Sequence, residues 1–153
     1  MAKQKEVVVL VGAGSIGQAI ARRVGAGRHV VLGDLKKENA DTAAQILEDA
    51  GFETSTLAVD ISSRDSVLAL IEHAQSFGLV QNVINAAGVS PSQAPVEAIL
   101  KVDLYGTAVL LEEFGKVIAE GGSGVVISSQ SGHRLGALSE EQNTALATTP
   151  TEE

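Results

Sequence analysis

The feature that most narrows the possible folds is Gly12-Ala13-Gly14-Ser15-Ile16-Gly17, a GxGxxG between two very different stretches of chain. Ahead of it stands a continuous apolar run, Val7-Val8-Val9-Leu10-Val11. Behind it comes a helical pattern with Ile16, Ile20 and Val24 at four-residue spacing. An unbroken β-branched run suits a strand covered on both faces, since a strand with one wet face would alternate. Such a strand turning through glycines into a helix opens a parallel α/β unit, and the alternation recurs down the chain. Residues 29–34, 54–59, 80–85 and 124–129 read as further strands. Residues 39–50 read as a helix stopped by Gly51, and Ser63 reads as the N-cap of another carrying Val67, Leu70, Ile71 and Ala74. The expected fold is α/β: a doubly wound parallel sheet of Rossmann type, with about five strands and helices on both faces.

The glycine turn also has a chemical meaning in this context. Gly12 permits the tight turn, Gly14 has no Cβ to block a pyrophosphate approaching the backbone, and Gly17 lets helix and strand pack closely. The N–H groups of Ser15 and Ile16 open a helix whose positive end faces negative charge. Asp34 closes the second strand, where a carboxylate accepts the hydroxyls of an adenosine ribose and repels a 2′-phosphate. This favours NAD over NADP, although Lys36 and Lys37 follow closely and leave NADP open. A net charge of −8 argues against nucleic acid or an anionic membrane as partner. The chain has no cysteine, and its three histidines, His29, His73 and His133, lack ligand spacing, so no metal site is expected. The short apolar run near the start is no signal peptide or membrane span, and a cytoplasmic location is expected.

Three further signals resemble the short-chain dehydrogenase/reductase family. Val59-Asp60-Ile61 closes the third strand, where the family's aspartate binds the adenine amino group with help from the next residue's backbone. Asp60 as the cap of the following helix is the alternative reading. Asn85-Ala86-Ala87-Gly88 is similar to the family's NNAG, with Ala86 departing from the second asparagine. The asparagine is expected to tie neighbouring strands together. Gly124-Val125-Val126-Ile127-Ser128-Ser129-Gln130-Ser131-Gly132 resembles the family's strand ahead of SxxG. By that register Ser129 corresponds to the catalytic serine, which polarises a substrate carbonyl or alcohol, with Ser128 one residue out of step. The resemblance covers residues 6–132 and implies an oxidoreductase moving hydride between a nicotinamide cofactor and a small secondary alcohol or ketone. Its glycine turn is one residue shorter than the family's commonest TGxxxGxG.

Two departures bear on mechanism. Where the family has an asparagine before LxG, this chain has Val102-Asp103-Leu104-Tyr105-Gly106. Helical spacing puts Ile99, Asp103, Gly106 and Leu110 on one face, so Asp103 is expected in apolar surroundings with a raised pKa and a relay proton. A helix-edge aspartate paired with Lys101 or solvent is the alternative. The family's YxxxK is also absent: the one tyrosine, Tyr105, is followed four residues on by Val109 and reads as packing or interface, and neither tyrosine nor lysine follows Ser129. Residues 1–132 are therefore expected to form an NAD(P)-binding domain. Residues 133–153 are expected to be a polar loop or disordered tail beginning a substrate-side insertion. The stretch 96–119, apolar nearly all round, is expected to be one long helix mediating a homo-oligomer. An incomplete dehydrogenase leaves the fifth strand's outer edge open. A non-catalytic dinucleotide-binding module is the alternative. An S-adenosylmethionine methyltransferase is a third reading, against which stand Val9, Leu10 and Val11 where that class usually has an acid.

Overall fold

In the computed structural model, which describes residues 5–134 and 136–153, five strands form one sheet. They are β1 (Glu6–Val11), β2 (His29–Asp34), β3 (Glu53–Ala58), β4 (Leu79–Asn85) and β5 (Ser123–Val126). All pair in parallel, in the order β3-β2-β1-β4-β5. The chain runs outward from β1 to β3, then returns to the other side of β1 with β4. That reversal opens a crevice at the carboxyl ends of β1 and β4, where ligands bind in sheets of this kind.

β1 shows why an all-apolar strand was needed. Its side chains alternate between two cores. Val7, Val9 and Val11 join a cluster with Val67, Leu70 and Ile71 of α3 (Arg64–Gln75) and Val109, Leu110 and Phe114 of the helix Thr107–Gly115. Val8 and Leu10 join the opposite cluster, with Ala21 of α1 (Ser15–Val24) and Ala40, Ala43, Ala44 and Leu47 of α2 (Lys37–Glu48). On α1, Gly17 and Ala21 face the sheet, Ile20 and Val24 pack partly against the cluster, and Ile16 is 58% exposed beside the turn. The expected Ile16-Ile20-Val24 stripe is thus rotated toward the small residues. Ser63 caps α3 by accepting the Ser66 N–H at 3.4 Å, and Gly51 follows α2 at φ +87°.

Three expectations need correction. The stretch 96–119 is not one α-helix: a single turn α4 (Val96–Ile99) runs into a π-helical segment (Leu100–Gly106), then α5 (Thr107–Gly115). β5 ends at Val126 rather than at 129, although the Ile127 N–H still donates to the Asn85 carbonyl at 2.9 Å. The polar stretch after residue 132 is not structureless. A short α6 (Ser131–Arg134) is followed by α7 (Glu140–Thr148), which starts with a reciprocal Ser139/Gln142 capping box and has Glu140 and Glu141 in its first turn. α7 buries no residue, so no apolar periodicity announced it. Beyond it Glu152 accepts hydrogen bonds from Arg64 and Tyr105, returning the chain to α3 and the π segment.

Candidate functional site

The crevice is built by backbones that approach too closely for side chains. A Cβ on Gly12, whose φ is +87°, would lie 2.4 Å from the Ala87 nitrogen; one on Gly17 would lie 2.6 Å from both the Gly12 carbonyl oxygen and Leu10 Cδ1. The Gly12 N–H donates to the Gly33 carbonyl at 2.8 Å and the Ala86 N–H to the Val11 carbonyl at 2.7 Å, tying turn, second strand and fourth strand together. At Gly14 the situation reverses. A Cβ there would meet nothing within 4 Å, because this residue borders open space at the start of α1.

That space is a cavity of about 530 Å³. It brings together Gly12, Gly14, Asp34, Asp60, Ile61, Ala86, Ala87 and Gly88, eight of the residues singled out from sequence and drawn from the ends of four strands. Ser15, Ile16 and Gly17 are not among the lining residues and form the first turn of α1. Asn85 is buried beneath it, and its role differs from expectation: its backbone joins β5, whereas its side chain accepts the Ala87 N–H at 3.2 Å and donates to Thr107 Oγ1 at 3.3 Å. The side chain ties the loop to α5, not strand to strand.

The Asp34 carboxylate is held on both sides. Oδ2 accepts the Ala13 N–H at 3.0 Å; Oδ1 accepts the Lys36 N–H at 3.0 Å and the Asn39 side-chain amide at 3.2 Å. Lys36 lines the cavity. Lys37 is drawn aside, its ammonium donating to Asp41 at 2.7 Å and Thr56 at 3.1 Å, and that ammonium holds the Asp41 carboxyl below its ordinary range. Asp60 Oδ1 accepts the Ser62 N–H at 2.9 Å and its hydroxyl at 2.6 Å, and Ser63, not Asp60, caps α3.

Asp103 does not stand in apolar surroundings. It is exposed while Gly106 and Leu110 are buried, because the wider turn of the π segment breaks the α-helical spacing that aligned the three. Its Oδ1 accepts the Val89 N–H at 2.9 Å, anchoring the loop after Gly88; Lys101 is not its partner. Ser129 lies beyond β5, outside the cavity lining. Its hydroxyl donates to Ser131 Oγ at 2.9 Å and accepts the Ser131 N–H at 3.1 Å.

The cavity also uses Val59 of the Val59-Asp60-Ile61 signal, and Leu35, Asn39, Val89, Gln93 and Val102, which sequence reasoning missed. Only Leu35 carried a signal: an apolar residue directly after a strand-end aspartate, 69% exposed in the fold. Val102 and Val89 arrive by way of the π segment and the Asp103 contact. A second cavity of about 370 Å³ lies between α1 and α2, sharing Gly14, Asp34 and Asn39 with the first. Among the described residues no cluster of three or more His, Cys, Asp or Glu could hold a metal ion, and no helix is long and apolar enough to cross a membrane.

A family model described as enoyl-(acyl carrier protein) reductase matches residues 12–146. A short-chain dehydrogenase/reductase of Alternaria brassicicola is 47% identical over 131 residues, covering 86% of this chain and 48% of that protein. The chain belongs to the short-chain dehydrogenase/reductase family. Another relative is the cis-4-hydroxycyclohexanecarboxylate dehydrogenase of Sinomonas cyclohexanicum, 31% identical over 152 residues, 92% of this chain and 60% of that one. Solved short-chain dehydrogenase/reductase structures agree. A metagenomic short-chain oxidoreductase in complex with NADP matches with a TM-score of 0.72 at 30% identity, covering 83% of this chain and 63% of that one. A Burkholderia phymatum member in complex with NAD matches with a TM-score of 0.74 at 26% identity, covering 84% and 50%. The chain thus spans about half the length of these family members.

Proposed function

We propose that this chain is the dinucleotide-binding half of an NAD-dependent oxidoreductase acting on a secondary alcohol or ketone. The observation that carries the reading is the single cavity in which the glycine turn, Asp34, Asp60 and the Ala86-Ala87-Gly88 loop meet. The residues fit such a ligand. Space at Gly14 admits a pyrophosphate against the N-terminus of α1, whose first turn has no acidic residue, and the strand-end carboxylate of Asp34 faces a sugar. Asp60 and the Ile61 backbone bind adenine, and Ala86 and Ala87 leave room beside it. A nicotinamide supplies hydride transfer when bound. Ser129 contributes the hydroxyl that polarises the substrate oxygen, exchanging its bond to Ser131 for one to substrate. Asp103 serves this site by holding Val89 in place.

NAD is favoured over NADP because Asp34 repels a 2′-phosphate and Lys37 is engaged by Asp41 and Thr56. Titration of the chain with NAD, NADP and S-adenosylmethionine tests the reading. NAD should bind at least about tenfold more tightly than NADP, a difference of ~1.4 kcal/mol, and S-adenosylmethionine should not compete. No turnover of alcohols is expected, since Tyr105 is followed by buried Val109 and no tyrosine or lysine follows Ser129. Failure of NAD to bind would sink the proposal.

A further inference from the structure

Asp34 accepts more hydrogen bonds from the protein than a diol-binding carboxylate should. A carboxylate offers about four acceptor positions, and three are taken: the Ala13 N–H on Oδ2, and the Lys36 N–H and Asn39 amide on Oδ1. One incoming hydroxyl finds a position; the two hydroxyls of a ribose do not. The three donors differ in how readily they leave. Ala13 and Lys36 donate from the main chain, within the glycine turn and at the entry to α2, so moving either means moving backbone. Asn39 donates from a side chain, at the longest of the three distances, from an exposed position in the first turn of α2. It borders both the main cavity and the one between α1 and α2, so its amide has somewhere to go.

We propose that Asn39 is a specificity-determining residue, a displaceable donor that leaves Asp34 Oδ1 when a ribose with both hydroxyls binds. The inference rests on the cofactor reading above and deepens it. A vicinal diol replaces the amide, donor for donor. A ribose with one hydroxyl uses the remaining position and leaves Asn39 where it is. A 2′-phosphate, being an acceptor and an anion, cannot replace a donor, so the same contact disfavours it. The hydrogen bond from the Asn39 amide to Asp34 therefore offsets much of what the second hydroxyl contributes.

Asn39→Ala removes the competing donor at an exposed helical position where alanine is well tolerated. The experiment compares binding of 5′-AMP and 2′-deoxy-5′-AMP to the parent protein and the variant, with circular dichroism confirming equal folding. The preference for AMP over its deoxy analogue should rise roughly three- to tenfold in Asn39→Ala, the worth of one hydrogen bond. Affinity for the deoxy nucleotide should hardly change. An unchanged or reduced preference for AMP overturns the proposal while leaving the nucleotide site in place. Absence of binding by either nucleotide to either protein overturns the cofactor reading itself, and the role of Asn39 with it.

Discussion

The first two glycines of the turn, Gly12 and Gly14, have different tasks, and single substitutions keep the tasks apart. At Gly12 a side chain meets backbone and the φ is left-handed; at Gly14 a methyl group meets only open space. Gly12→Ala should cost more than about 2 kcal/mol of stability, seen as a lowered midpoint in thermal unfolding. Gly14→Ala should unfold within a degree or two of the parent yet, on the proposed function, lose NAD affinity, because its methyl group would intrude on the space assigned to the pyrophosphate. Equal melting losses in both variants would contradict this division. At the other end of the sheet, His29 is buried, stacked on Phe77 with ring centroids 3.9 Å apart, and bonded to Ser55 Oγ at 3.0 Å. Burial first, and the Lys5 ammonium second, push its pKa below the ordinary 6.5, against the opposing pull of Glu53; His73 lies beyond Phe77. The unfolded chain then takes up a proton near pH 6.5 that the folded chain refuses, so the contribution is present above that pH and is lost as pH falls through the lowered value. Melting at about pH 7.5 and about pH 5.5 should show a drop that His29→Leu reduces. The carboxylates with lowered pKa, Asp41, Glu53, Glu112 and Glu113, act only at lower pH.

Among the elements, the strands and first three helices were legible because each announces itself by periodicity, though α2 begins two residues earlier than its apolar pattern suggested. The segment following α4 was not. A π segment leaves no mark in a pattern read at α-helical spacing, and π turns inside helices often accompany functional sites. Here the segment sends Val102 to the cavity and Asp103 to the Val89 N–H, and ends at Gly106. A Cβ on Gly106 would lie 2.8 Å from the Ile61 carbonyl oxygen, and Ile61 itself lines the cavity. Gly106→Ala should therefore push the helix from the β3–α3 loop, costing about 1–3 kcal/mol by overpacking. It should also weaken NAD binding through Ile61. A variant as stable as the parent, measured by chemical denaturation, would show that the loop accommodates the methyl group at no cost.

At the scale of the whole molecule the sheet is closed at its centre and less so at the β5 edge. β1 and β2 are buried, whereas β5 is exposed along most of its length, with Val125 at 44%. The helical stretch from Val96 likewise leaves Val96, Leu100, Leu104 and Leu111 each about half exposed or more. We propose that this apolar face pairs with another copy of the chain. Light scattering should then report a dimer or larger, and Leu104→Glu should convert it to monomer without changing its far-ultraviolet spectrum. A monomeric parent would remove the proposal.

Sequence alone determined the parallel sheet and half of the residues that line the cavity, because glycine spacing, unbroken apolar runs and strand-end acids are local patterns with local physical causes. Asp34, Asp60 and Ala86-Ala87-Gly88 could be placed on strand ends before any contact was seen. Tertiary structure alone decided which donors reach Asp34 and that Asp103 faces a loop N–H instead of a core. It also decided that a helix follows residue 139, held by its capping box without a buried face. These features depend on hydrogen bonds between segments distant in sequence, on a local change of helical pitch, or on end capping without burial. None of the three leaves an apolar periodicity to read.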